Sequence, residues 1–179
     1  MVFCEGKNSE PDYVNGLRKL PHIAENTALS IKIHPDQGVP LTLVKNAIEY
    51  KNDPEIDECW CLFDVEWPKH HPNLNQAISL ASSNEINLAI SNPCFELWLI
   101  LHYQNCGAFM DTDSAERQSR SLDGRLGKSI DSAIYMPLRK KAAHYAKLLE
   151  ERHIQDGTCF PHDNPSSGMY KFLLDLEGE

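Results

Sequence analysis

Glu5 ends the apolar run Val2-Phe3-Cys4 and is followed at once by Gly6, while Asp64 and Glu66 close the apolar run that begins at Cys59. An apolar run ending in Glu-Gly predicts a strand that stops and turns, leaving a carboxylate at its tip. If the two strands lie parallel in one sheet, their carboxyl ends share an edge and Glu5, Asp64 and Glu66 converge there. Asp64 and Glu66 are two residues apart, so on an extended strand they point the same way. Converging carboxylates repel one another, and a cation among them relieves the repulsion. Oxygen-only ligands suit Mg2+ or Mn2+, which also bind phosphate oxygens and lower the pKa of a coordinated water. The competing reading makes these acids the polar exits of buried strands, because acidic residues are frequent in turns.

The elements that must position these acids alternate strand and helix. Residues 1–4 read as strand. Ser9-Glu10-Pro11 reads as the start of a helix carrying Tyr13, Leu17 and Leu20, which Pro21 ends. Residues 28–34 alternate as a strand and 40–50 form an amphipathic helix. Residues 59–67 read as a central strand covered on both faces. Residues 73–84 read as helix and 86–91 as a buried strand. A helix follows over 92–105, with Asn92 near its cap and Pro93 in its first turn. This alternation predicts an α/β fold, a mainly parallel four-stranded sheet flanked by helices. Residues 107–131 read as a loop holding at most one short helix. Helices are expected again over 137–153 and 169–177. The expected division is an α/β core over 1–106 and a helical C-terminal extension over 107–179, packed on the same domain.

The chain of 179 residues is long enough for a substantial core, and 41% hydrophobic with 24% charged residues is globular composition. Its 17 Lys and Arg against 26 Asp and Glu give a net charge of −9. That speaks against coating nucleic acid by general electrostatics, yet a site that holds divalent cations must itself be acidic. No apolar run approaches bilayer length and no leader precedes the first strand, so a cytoplasmic location is expected. The six cysteines include no CxxC pair, and Cys59 and Cys61 share one strand face, as packed reduced thiols would.

"CEGKNSEPDY" followed by "CLFDVEW" resembles the toprim pattern, an acidic residue with glycine on one strand and Asp-x-Asp on a later one. With "FDVEWPKHHPNLNQAI", "LAISNPCFELWLILHY" and "NPSSGMYKFL", the chain more specifically resembles the RloB family, small toprim-like proteins of bacterial and archaeal defence and restriction loci. The resemblance implies a toprim-like (Rossmann-like) fold and a Mg2+- or Mn2+-dependent nuclease acting on DNA or RNA in antiviral defence. It also implies an ATPase partner encoded alongside, and a homo-oligomer is compatible with it. Glu5 takes the position of the general acid or base, and Asp64 and Glu66 those of the paired metal-binding acids, although the family pattern prefers Asp where Glu66 stands. The candidate catalytic residues are therefore Glu5, Lys7 and Glu96, and the candidate metal ligands Glu5, Asp64 and Glu66. Gly6, Lys7, Glu10, Asn92 and His102 are the candidate substrate contacts. His70 and His71 offer a proton shuttle or a further ligand. The remaining cations, Arg125 among them, read as a solvated surface or loop. The alternative function is a non-catalytic metal- or nucleotide-binding effector or sensor subunit.

Overall fold

The computed structural model describes residues 1–26, 31–33 and 40–178. Four parallel strands make the body of the sheet, in the spatial order β2 (Ile31–Ile33), β1 (Val2–Cys4), β3 (Trp60–Asp64) and β4 (Asn87–Asn92). The parallel alternation expected from the sequence is present. The sheet is nevertheless mixed, because a two-residue strand, β5 (Ser166–Ser167), pairs antiparallel with the end of β4. Of the strand expected over 28–34, residues 31–33 form β2 and the rest lie outside the described residues.

Strand alternation sorts the core into two layers. Val2 and Cys4 of β1, Trp60 and Leu62 of β3 and Ala89 of β4 face one side. There they meet α1 (Ser9–Arg18), α2 (Pro21–Asn26), α5 (Glu96–Tyr103), α6 (Thr112–Asp123), α7 (Arg139–Asp156) and α8 (Met169–Glu177). Phe3, Cys61 and Phe63 face the other side, against α3 (Pro40–Lys51) and α4 (Leu74–Ser83). Residues 60–63 are all buried, as a central strand covered on both faces requires. Residues on either side of position 107 share the first layer, so the C-terminal helices complete the core that the sheet begins. Cys59 and Cys61 pack together in the second layer, and all six cysteines are free thiols. Among the described residues, no helix is long and apolar enough to cross a membrane.

Three local expectations differ from the structure. Pro21 opens α2 instead of merely ending α1, since proline is tolerated at a first helical position. Asn92 is the last residue of β4, and α5 starts only at Glu96. The stretch 107–131 contains α6, twelve residues long. Its buried side is only Ala115 and Ser119, too small to show as apolar periodicity. Its ends are fixed chemically instead: Asp111 accepts from Ser114 N at 2.7 Å, and Gly124 takes the left-handed conformation at φ 73°.

Behind the sheet edge, α1 and α5 are locked by an aromatic group. The ring of His102 lies edge-on to Tyr13, Trp98 and Tyr135 at 5.4, 5.1 and 5.1 Å. Its Nδ1–H donates to Trp98 O at 2.8 Å and its Nε2 accepts from Tyr13 OH at 3.0 Å, which requires the neutral ring. Burial accordingly lowers its pKa from 6.5 to about 4. The ring is neutral in the fold while the unfolded chain protonates near 6.5, so its contribution is complete above that pH and is lost as pH falls to about 4. The loss amounts to roughly 3 kcal/mol. The unfolding free energy of wild type minus that of His102→Gln should shrink by about that amount over this interval in urea titrations. A difference independent of pH would contradict the assignment.

Candidate metal centre at the carboxyl edge of the sheet

Glu5 and Asp64 meet because β1 and β3 are neighbours in parallel register. Glu5 N donates to Leu62 O at 3.0 Å, extending the pairing by one residue beyond Cys4. Glu5 Oε2 then accepts from the backbone N–H of Asp64 at 3.1 Å. Its other oxygen faces His71 Nε2 at 2.9 Å, so one of the two loop histidines does reach the acidic tip. The other, His70, lies against the Trp67 ring instead.

Glu66 reaches the cluster by a different route from the one expected. β3 stops at Asp64, so Asp64 and Glu66 are not alternate residues of one extended strand. Val65 N and Glu66 N donate to Ser91 O and Pro93 O at 2.9 and 2.8 Å, and Glu66 turns to φ 64°. Its Oε2 accepts from Thr112 Oγ1 at 2.9 Å, and the Thr112 hydroxyl oxygen in turn accepts from Trp67 N–H at 3.0 Å.

Two helix starts bring further carboxylates. Glu10, in the first turn of α1, accepts from Gly6 N at 3.1 Å. Gly6 was expected to ease the turn, but its φ is not positive; a Cβ there would overlap the Glu10 carboxylate. The glycine makes room for an acid. Glu96, first residue of α5, is buried and lies 3.6 Å from Arg125 Nη2. Acids in first helical turns are favoured by the N-terminal dipole. Lys7 is exposed on the loop between β1 and α1. The Asn92 amide donates to Pro161 O and Asp163 Oδ1 at 3.1 and 3.0 Å, and His102 is taken up by Trp98 and Tyr13.

The electrostatics show how tightly the acids are gathered. Burial pushes the Asp64 carboxyl well above its ordinary range, and the charges of Glu10, Glu5, Glu96 and Glu66 push it further. Burial, reinforced by the Glu96 and Glu5 charges and opposed by backbone hydrogen bonds, raises Glu10 from 4.5 to about 7. The Cys4 and Cys94 thiols are raised by burial and by charges of the same group, Glu10 for Cys4 and Glu96 with Asp64 for Cys94. They therefore stay protonated beside it.

Among the described residues no three His, Cys, Asp or Glu side chains already meet as a ligand set. Glu5, Glu10, Glu66 and Glu96 each hold a local partner: His71, Gly6 N, Thr112 and Arg125. The donor chemistry nonetheless fits a hard divalent cation, since hard oxygen donors crowd the half-buried Asp64 carboxyl, whose ionisation they oppose. A separate cavity of about 380 Å³ lies between α4, β4, α7 and α8, floored by Ile78, Leu88 and Ile90; none of the five acids lines it.

Glu10 was named from the sequence as a substrate contact and His71 as a proton shuttle or further ligand, whereas Thr112 was left out and Arg125 was placed on a solvated surface or loop. The Gly6-to-Glu10 spacing is the one local signal, a glycine one helical turn before an acid. Thr112 and Arg125 arrive by tertiary packing and have none.

Raised in the fold, the Glu10 carboxyl contributes stability that is complete below pH 4.5 and lost as pH rises through about 7. The loss is on the order of 3 kcal/mol. Glu10→Gln keeps an acceptor for Gly6 N without the charge. In chelator it should be more stable than wild type above that pH, with the advantage vanishing as pH falls. An equal destabilisation at both ends of the range would contradict this electrostatic account.

No curated protein and no solved structure matches the chain in searches of either. The family model described as RloB-like protein matches residues 1–176, which is nearly the whole length. The paired strand ends and the motifs around them thus fall inside one family's frame, and the chain belongs to the RloB-like proteins.

Proposed function

We propose that this protein is a metal-dependent nuclease that hydrolyses phosphodiester bonds in DNA or RNA. The observation that carries the reading is the placement of Asp64: half-buried, at a strand end, and surrounded by the charges of four glutamates. A fold that stores so much like charge is organised to receive positive charge there. The sheet edge supports a toprim-like reading, with Glu5 on β1 and Asp64 on β3 as the central ligands of Mg2+ or Mn2+ and Glu66 at the rim. When bound, such an ion neutralises the cluster, polarises a phosphodiester and lowers the pKa of the attacking water.

The chain's own groups would do the rest. The Asp64 N–H fixes one oxygen of Glu5 and His71 holds the other, so Glu5 is oriented for its role as ligand or proton acceptor. Glu10 and Glu96 supply further acceptors on two separate helices. Exposed Lys7 stands where it can meet an incoming phosphate. The RloB resemblance extends the reading to antiviral defence with an ATPase encoded alongside. A second reading, a non-catalytic metal-binding effector, is favoured by one observation: the Glu66 carboxylate is tied to Thr112 and sits off the strand.

The test is cleavage of plasmid DNA, single-stranded DNA and tRNA with Mn2+, by wild type, Glu5→Gln and Asp64→Asn. Wild type should cut at least one substrate, and each variant should lose about a hundredfold or more. Full activity in Asp64→Asn would refute the assignment. A wild type that binds Mn2+ and cuts nothing would select the effector reading.

A further inference from the structure

Arg125 was expected on a solvated loop, but its side chain is only 8% exposed. Two ties hold its segment to α1, the helix that carries Glu10: Ser9 Oγ donates to Lys128 O at 2.7 Å, and Ile130 N donates to Asp12 Oδ2 at 3.1 Å. The guanidinium is used unequally. Nη1 is consumed by Asp123 and by Ser119 Oγ, the latter at 2.9 Å. Asp123 is itself held by Tyr135 OH and by the backbone N–H of Arg125. The opposite edge is unfilled: Nε is buried without a hydrogen-bond partner, and Nη2 has a charge contact with Glu96 at 3.6 Å, too long for a hydrogen bond.

Nε–H and Nη2–H form the planar side of a guanidinium that takes two oxygens of one carboxylate or phosphate. Buried N–H groups are ordinarily satisfied by an acceptor, so this edge is open to one that arrives with a ligand. The neighbour of this edge is Glu96, one of the acids grouped with Asp64. We infer that the Nε/Nη2 edge of Arg125 is a phosphate subsite, gripping one phosphate of a polynucleotide whose backbone runs past the carboxylates of Glu5, Asp64 and Glu96. The inference rests on the nuclease reading and adds a substrate contact to it. Arg125 then serves both as the counter-charge of Glu96 and as a bidentate clamp. The adjacent Leu126 is fully exposed and Lys128 largely so, leaving the same loop open to the flanking strand.

The test is binding of a fluorescein-labelled single-stranded oligonucleotide in Ca2+ across a salt series, with the full chain. The variants are Arg125→Gln, Arg125→Lys and, as a control, Arg117→Gln on the exposed side of α6. Circular dichroism and Mn2+ calorimetry accompany each. Arg125→Gln should flatten the slope of log affinity against log salt by about 0.7, the share of one single-strand phosphate. Arg125→Lys should keep the slope and lose about tenfold in affinity, because a point charge cannot replace the fork. Arg117→Gln should change neither. If Arg125→Gln does not fold, the lysine variant decides alone. Unchanged affinity in a folded Arg125→Lys, or an equal flattening by Arg117→Gln, would overturn the subsite and leave the metal centre standing. A wild type that binds no oligonucleotide would overturn the subsite together with the nuclease reading.

Discussion

Like-charge repulsion at the carboxyl edge of the sheet is the constraint to which the surrounding structure answers. Two unit charges about 4 Å apart near a protein surface repel by roughly 4 kcal/mol. A whole domain is held by only about 5–15 kcal/mol. Acids gathered at one edge therefore need compensating partners. Each compensation visible around them is local: His71 against Glu5, Gly6 N against Glu10, Thr112 against Glu66, Arg125 against Glu96. Burial and the surrounding charges still hold the Asp64 carboxyl well above its ordinary range. The fold accepts a cost here that its core must offset elsewhere.

That core is arranged to keep the acids where they are. β3 is buried on both faces between two helical layers, so its end cannot withdraw from β1 without opening both. The aromatic group of Tyr13, Trp98, His102 and Tyr135 fixes α1 against α5, and those helices carry Glu10 and Glu96 in their first turns. Tyr135 also reaches Asp123, which anchors Arg125. A single chain of contacts thus runs from the apolar interior to the polar edge. Such coupling suits a site whose geometry must survive its own repulsion.

The parts legible in the sequence were those written in local patterns. Apolar runs and helical spacing marked β1, β3, β4, α3 and α8, and a mainly parallel sheet followed from their alternation. Glu5 and Asp64 were legible because each ends an apolar run, and the structure joins them through one hydrogen bond. Glu66 was misplaced since the strand rule was carried one turn too far, past the residue where the backbone reverses at φ 64°. α6 was read as at most one short helix in a loop because its buried face is Ala115 and Ser119, and β5 was passed over because two serines carry no strand signal. Arg125 lies far from Glu96 in the chain, and no composition rule brings them together. What was missed is tertiary: partners chosen by packing leave no local trace.

The central claim is that Asp64 and Glu5 are the heart of a cation site. It is tested most directly by Mn2+ calorimetry on wild type and Asp64→Asn, with folding confirmed by circular dichroism. Saturable binding to wild type that vanishes in the folded variant is the predicted result. Failure of wild type to bind Mn2+, or equal binding by Asp64→Asn, would contradict the account and leave the acids as the polar ends of two buried strands.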